Sequence, residues 1–426
     1  TYWHNGVPEK YKGYCTDVFF DTAKEFIEDS VSREKPFFAY ICTNAPHSPF
    51  HVEDKFWKPY AEKGLSDREA IFFGMIANAD ENVGELRDFL DAKGLTENTI
   101  FIFTTDNGTA SGENVFNSGM RGKKGSQYEG GHRVPFFMHW PTGGLDKPRD
   151  VNELSAHIDI LPTLIDMCGL NAPLSYAFDG RSLSPLIFEQ PSPWPDRTII
   201  TDSQRVLDPI KWKTSSVMTQ RWRLIDGKEL YDMDEDPGQT TDVASKHPAV
   251  KAQLRSEYDA WWESLQPAFE KFTTITLGHP ADNPSQLTAH DWLTQQNVPW
   301  HQSAIRGGKL GYGIAGKWAV NISKEGAYKL TLRRWPRETG VDSEASIPPG
   351  KPVPGLVAFR ETPGKSIKLK SATVKVGDQS FEKQVTGGEG TTFDMTLPEG
   401  ETFIEAFFMT SDNEQLGAYY VVVEKV

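Results

Sequence analysis

Cysteine is scarce: Cys15, Cys42 and Cys168 are the three in 426 residues. They are far apart and form no Cys-x-x-Cys pair or Cys/His cluster, which excludes a disulfide framework and a zinc site and leads us to expect buried thiols. Positive charge is also short. With 45 Lys and Arg against 59 Asp and Glu the formal charge is −14, which argues against a nucleic-acid partner, because phosphate backbones are held by clustered Lys and Arg. Any anion site must therefore be local. No apolar run reaches the roughly 18 residues that would span a bilayer, and no basic-plus-apolar leader opens the chain, so no membrane partner is expected. Thr1 is not Met, and the chain passes at once into helix-forming sequence. An upstream segment of the same protein is therefore expected, and the missing leader says nothing of compartment.

What is present reads as globular, with 38% hydrophobic and 24% charged residues, in a chain long enough for two or more domains. Residues 1–190 alternate helix-like and strand-like segments. Thr16 or Asp17 can cap a helix carrying Phe19, Ala23, Phe26 and Ile27, and "PFFAYI" (36–41) suits a buried strand. Ser66–Glu69 has the capping-box form, followed by Phe72, Ile76, Ala79, Val83, Leu86 and Leu90 at helical spacing until Gly94. "TIFIFTTDNG" and "VPFFMHW" read as further buried strands, and Asp159–Cys168 as a short helix. This rhythm predicts an α/β sheet flanked by helices. Residues 191–270 change to antiparallel strands, two of them joined by an Asp226-Gly227 turn, and then a helix from Pro248 that Pro267 should stop. Residues 271–426 are rich in Gly, Pro and Trp. Their alternating segments "GKWAVNI", "GAYKLTLRRW", "SATVKVGD", "TTFDMTL", "TFIEAFF" and "AYYVVVEKV" predict a separate all-β sandwich, with 338–355 as a long loop.

Three polar segments meet strand ends. "NAPHSPF" follows 36–41, "DNG" (106–108) follows 101–105, and "GKKGSQYEGGHRVP" (122–135) precedes "VPFFMHW". In open α/β sheets ligands bind beyond the carboxyl ends of strands, so convergence of the first two is geometrically natural. Asp106 and Asn107 offer oxygen ligands for a hard cation, Ca²⁺ or Mg²⁺; equally, they form an ordinary Asp-Asn-Gly turn, and Asn107-Gly108-Thr109 fits a glycosylation sequon. His47 lies between Pro46 and Pro49 in a stiff loop, where it can serve a site or simply pack. The 122–135 segment gathers Lys123, Lys124 and Arg133 with Gly125, Gly130 and Gly131, which permit positive φ or close backbone approach. That is anion-site chemistry, with Glu129 and Arg133 as a structural ion pair holding the Gly-Gly turn. "GKS" at 364–366 is no P-loop, since Phe359 stands where the upstream Gly is required.

Together these segments resemble the sulfatases of the alkaline-phosphatase-like superfamily. The matching stretches run in family order over about residues 10–265, from "GYCTDVFFDTAKEFI" through "PHSP", "DNG" and "K-x-x-x-YEGGxRVP" to "HIDILPTLIDMCGL", "FDGRSLSPL" and "LYDMDEDPGQTTDVA". The resemblance implies a partial sulfatase domain in 1–190, its antiparallel subdomain in 191–270 and an accessory β-sandwich in 271–426. It implies hydrolysis of a sulfate ester of a carbohydrate or aryl compound. Asp106 and Asn107 match two ligands of the family's Ca²⁺, in preference to Mg²⁺. His47 matches the histidine at the sulfate and leaving-group side, and Lys124 the sulfate-binding lysine; Lys123 fits the spacing less well. Periplasmic or extracellular location is implied by the family alone.

The family's nucleophile is a formylglycine made from Cys in Cys-x-Pro-x-Arg. Here "CTDVF", "CTNAP" and "CGLNA" do not match, so the nucleophile and the remaining metal ligands are expected upstream, and the isolated chain is expected to be inactive. Two other readings stay open: a phosphodiester or phosphonate ester hydrolase of the same superfamily, and a non-catalytic carbohydrate-binding protein. For the latter, Trp292, Trp300, Trp318 and Trp335 with Tyr312 could form a platform for sugar rings, or Trp318 and Trp335 could be core residues.

Overall fold

The computed structural model describes residues 2–171, 177–189, 194–204, 206–295, 298, 302–308, 316–350 and 363–426. The chain divides into two compact units. One takes the described residues up to Ala260 apart from 204–211; the other takes 204–211 and those from Trp261 onward.

In the first unit three helices precede the polar loops: Cys15–Ser32, Asp54–Ala61 and Asp67–Ala92. The last begins at the expected capping box, in which Ser66 Oγ accepts from Glu69 N while the Glu69 carboxylate accepts from Ser66 N. It ends before Gly94, whose φ of +66° only glycine adopts without strain. The first helix starts earlier than expected, at Cys15, with Tyr14 as N-cap and no side-chain cap. Asp17 instead accepts from the Asn78 and Asn82 amides at 2.8 and 2.9 Å, tying the two long helices together. Phe20 and Ile27 pack with Leu86 and Leu90 in the same seam.

Phe101–Thr104 pairs antiparallel with Phe136–His139, so the "DNG" loop and the end of the 122–135 segment emerge from one ladder. These strands were expected to be buried, yet Phe103, Phe136 and Phe137 are exposed. Residues 36–41 correct the reading further: they carry no strand, and Phe38 and Tyr40 are 75% and 81% exposed. An apolar run shows that a segment favours cover on both faces, as parallel strands do, but not that a neighbouring strand is there to pair with it.

Four antiparallel strands follow in chain order: Ile199–Asp202, Ser215–Met218, Trp222–Ile225 and Glu229–Asp232. The Asp226-Gly227 turn is as expected. Both residues have positive φ (+49° and +64°) and Lys228 N donates to Ile225 O at 2.8 Å, the type I′ geometry that suits a right-twisted hairpin. The helix Pro248–Phe269 buries Leu254 and Tyr258 and runs through Pro267 rather than stopping before it. Pro267 falls in the last turn, where a single intrahelical bond is lost just as the helix ends.

The second unit holds two sheets. One orders Ser285–Thr288, Tyr420–Lys425, Gly326–Arg333 and Thr391–Leu397. The other orders Gln379–Gln384, Leu369–Val376, Gly400–Thr410, Lys317–Ile322 and Ile275–Leu277, with Gln415–Gly417 on the flank of Gly400–Thr410. Inward residues of both sheets, among them Leu330, Val421, Val320 and Phe408, form one buried core. Trp292, Trp318 and Trp335 are buried too, which removes them from any sugar platform. Trp318 Nε1 donates to Thr288 O at 2.7 Å and Trp335 Nε1 to Ala345 O at 3.1 Å, satisfying their polar edges inside the core. Trp300 and Tyr312 lie outside the described residues, as does 351–355 of the expected long loop; 340–350 carry no helix or strand. The cysteines also differ from expectation, with Cys15 half-buried and Cys42 and Cys168 exposed. No described helix is long and apolar enough to cross a membrane.

Candidate functional site

The "DNG" loop and the 122–135 segment interlock through their backbones. Gly108 N donates to Gly131 O at 3.1 Å and Lys124 N to Thr109 O at 2.8 Å. The glycines are there because nothing larger fits. A Cβ on Gly108 would lie 1.8 Å from the Gly130 carbonyl oxygen, one on Gly130 2.3 Å from that of Gly122, and one on Gly131 2.0 Å from that of Ser126. Gly125 has φ of +84°, the left-handed region that glycine enters without steric cost. Asp106, Asn107 and Lys124 thus stand on two directly bonded loops.

The two lysines differ in their surroundings. Lys123 forms an ion pair with Glu113, whereas Lys124, partly buried, has no ion-pair partner among the described residues. The Asn107 amide touches the Asp106 carboxylate. Among the described residues no three His, Cys, Asp or Glu side chains gather as a metal cage. Asp106 and Asn107 therefore offer at most part of the six to eight oxygens that Ca²⁺ takes.

His47 is exposed and bonds within its own loop. Its N donates to Asn44 O at 2.8 Å and its Nδ1 lies 2.6 Å from Ser48 O. A carbonyl only accepts, so the proton sits on Nδ1 and Nε2 is left for other work. The neighbouring 40–42 segment comes within electrostatic reach of Asp106. The Tyr40 phenol titrates above its usual value, first through its hydrogen bond with the Cys42 thiol and last through the Asp106 charge.

Glu129 anchors the lysine-bearing loop through the expected pair with Arg133 and through a closer partner the sequence did not suggest. Arg133 is 3.7 Å away and largely exposed; the principal partner is buried Arg223, whose Nε donates to Glu129 Oε1 at 2.7 Å. His132 Nε2 lies 3.4 Å from the same oxygen, and Gln239 Oε1 accepts from Glu129 N at 2.8 Å. Burial alone would raise the Glu129 pKa, but the His132 hydrogen bond and the Arg223 charge bring it down to about 2. Arg121 supports the same loop, donating to Tyr231 OH and Gln239 O at 2.8 and 3.0 Å with its guanidinium 3.9 Å from the Tyr128 ring centroid. His157, at the head of "HIDILPTL", places Nε2 2.8 Å from Thr105 O. Buried Asp159 behind it pairs with Arg197 and accepts from the Arg181 and Ala156 amides. Sequence reading missed Arg223, Gln239, His157 and Asp159. Arg223 left a signal of its own, a charge within the apolar strand "WRLI", whereas His157, Asp159 and Gln239 lie in family-matching stretches whose individual residues were not singled out.

The family model described as Sulfatase matches residues 1–170, and the one described as N-sulphoglucosamine sulphohydrolase, C-terminal, matches 123–262. A sulfatase of Formosa agariphila is 30% identical over 279 residues, covering 58% of this chain and 50% of the relative. An N-acetylgalactosamine-6-O-sulfatase of Bacteroides thetaiotaomicron is 28% identical over 270 residues, covering 56% and 49%. The chain thus spans about half the length of the curated relatives it matches. Among solved structures, Ps i-CgsB in complex with k-i-k-neocarrahexaose is similar at 25% identity and a TM-score of 0.56, over 62% of this chain and 58% of that one. Motif order and the two family models agree over residues 1–262: that part of the chain is a sulfatase-family sequence.

Proposed function

We propose that the chain supplies the sulfate-holding wall of an enzyme that hydrolyses sulfate esters of a saccharide. The observation that carries this reading is the pair of backbone bonds joining the "DNG" and lysine-bearing loops, which puts the uncommitted Lys124 ammonium and the Asp106/Asn107 oxygens on one rigid support. Sulfate ester cleavage needs positive charge on the non-bridging oxygens and a proton for the departing oxygen. Lys124 fits the first need. His47 fits the second as its imidazolium: with Nδ1–H held by Ser48 O, Nε2 is free to take up a second proton and pass it to the departing oxygen. Asp106 and Asn107 fit as part of a Ca²⁺ site, and such an ion, when bound, would polarise the sulfate oxygens. Their two side chains do not complete one. A saccharide substrate is favoured by the relative named N-acetylgalactosamine-6-O-sulfatase and by the neighbour in complex with k-i-k-neocarrahexaose.

The nucleophile comes from another polypeptide segment, because none of the three cysteines stands in Cys-x-Pro-x-Arg. The purified chain should therefore give no turnover of 4-nitrophenyl sulfate, and measurable turnover would overturn that assignment. The binding role is tested on the chain itself by titrating inorganic sulfate. Lys124→Ala should weaken binding at least about tenfold, the loss expected for one charge-assisted contact. Equal affinity in the variant would remove Lys124 from the site.

A further inference from the structure

Next to the Asp226-Gly227 turn, where Lys228 follows it, lies an open cleft of about 520 Å³ lined by Lys228, Lys251 and Arg255 with Asp242, Ser245 and Pro248. Three cations face one carboxylate in a chain whose formal charge is −14. That carboxylate is already engaged, as Asp242 Oδ1 accepts from Leu230 N and Ala244 N at 3.0 and 2.9 Å. Arg255 is fixed in place: its Nη1 donates to Gly227 O at 2.6 Å and its guanidinium lies 4.8 Å from the Trp212 ring centroid. No ion pair engages Lys228 or Lys251 among the described residues. Pro248 opens a 22-residue helix, whose positive end adds to the field in the same cleft.

The cleft and the lysine-bearing loop share one support. Gln127 Nε2 donates to Asp226 Oδ2 and Tyr128 OH to Glu229 Oε2, both at 2.9 Å, so the loop rests on the hairpin tip from which Lys228 projects. We propose that this cleft is a second anion-binding subsite, which holds a further sulfate of a polysulfated saccharide while another of its sulfates lies at the Lys124 loop. The inference rests on the function proposed above for that loop. The cleft is open to solvent, which suits a sulfated chain laid across it more than a single ion enclosed within it. Lysine heads also suit sulfates spaced along a flexible chain, because an ammonium acts as a point charge without a fixed bidentate geometry.

The test uses the full chain with two probes, a dextran sulfate oligosaccharide and inorganic sulfate, and unsulfated dextran of equal length as control. The Lys228→Ala/Lys251→Ala double variant should bind dextran sulfate roughly tenfold more weakly than wild type, from the loss of two solvent-exposed ion pairs. Its affinity for inorganic sulfate should fall much less, since that ion is still held at the Lys124 loop, and Lys228→Arg/Lys251→Arg should restore dextran sulfate binding, which excludes a folding defect. The proposal is overturned if wild type does not prefer dextran sulfate to dextran, if the double variant binds it as wild type does, or if inorganic sulfate binding falls equally in that variant. If Lys124→Ala left inorganic sulfate binding intact while the double variant still lost dextran sulfate, the loop assignment would fail and the cleft would stand.

Discussion

The two units are held in different ways. In the second, apolar side chains of two sheets meet in one core, with Trp318, Val320, Leu330 and Phe408 wholly out of solvent. In the first, the functional loops are fixed by buried charge: Glu129 with Arg223 and Asp159 with Arg197. The apolar pair Phe101–Thr104 and Phe136–His139 beside those loops stays open to water. An apolar core is tolerant of direction, since burial stabilises whatever contact is made. A loop that holds polar side chains in a fixed orientation needs directional bonds, and buried ion pairs with backbone donors supply them, because one broken partner leaves the other stranded.

The largest effect should come from cutting the apolar core. Trp318→Ala should cost about 4 kcal/mol in denaturant unfolding of the second unit, from lost transfer energy and the cavity left behind. Cutting the polar lock should cost slightly less. Glu129→Ala strands Arg223 and should lose about 3 kcal/mol from the first unit, with sulfate binding weakened as the lysine-bearing loop loosens. The lock also has a pH signature. The Glu129 carboxyl has its pKa lowered from 4.5 to about 2 in the folded state. Its contribution is therefore full above pH about 4.5 and is lost as pH falls from there through about 2. A Glu129→Gln protein should lack that part of the acid destabilisation, and an unchanged acid profile would show that the pair does not stabilise the fold. The smallest effect is at the open strands. Phe137 is 65% exposed, so Phe137→Ser should change stability by no more than about 0.5 kcal/mol. A loss as large as that of Trp318 would mean this face is covered in solution.

Legibility in sequence followed the same division. In the second unit, alternating or apolar runs set off by Gly, Pro and Asp turns were enough to find the six longer strands of the core, even where consecutive residues such as Trp318, Ala319 and Val320 are all buried. The short strands Ile275–Leu277 and Gln415–Gly417 were missed for lack of a full period, and Gln379–Gln384 because it is exposed along its whole length. In the first unit, local chemistry was readable: the Ser66 capping box, the Asp226-Gly227 turn and the glycines of 122–135 all act within a few residues of themselves. What escaped depended on partners far along the chain. Glu129 reaches Arg223 across 94 positions and His157 reaches Thr105 across 52, and no local pattern announces such a pair. The reading of Arg133 as a partner of Glu129 found the looser, mostly exposed pair at 3.7 Å and missed the closer, buried one with Arg223 for that reason. Segment 36–41 failed differently, as composition indicated the surroundings it favours rather than the ones it has.

The meshed glycines of the two loops have a practical consequence for anyone altering specificity. Residues 106–109 and 122–131 behave as a single component, because they are joined by two backbone bonds and the Gly130 carbonyl occupies the room where a side chain at 108 would grow, while Gly130 and Gly131 are closed by the Gly122 and Ser126 carbonyls of their own stretch. A library that randomises either stretch alone should return glycine at 108, 130 and 131 in nearly every folded clone. Transplanting new recognition into this scaffold requires moving both stretches as one cassette.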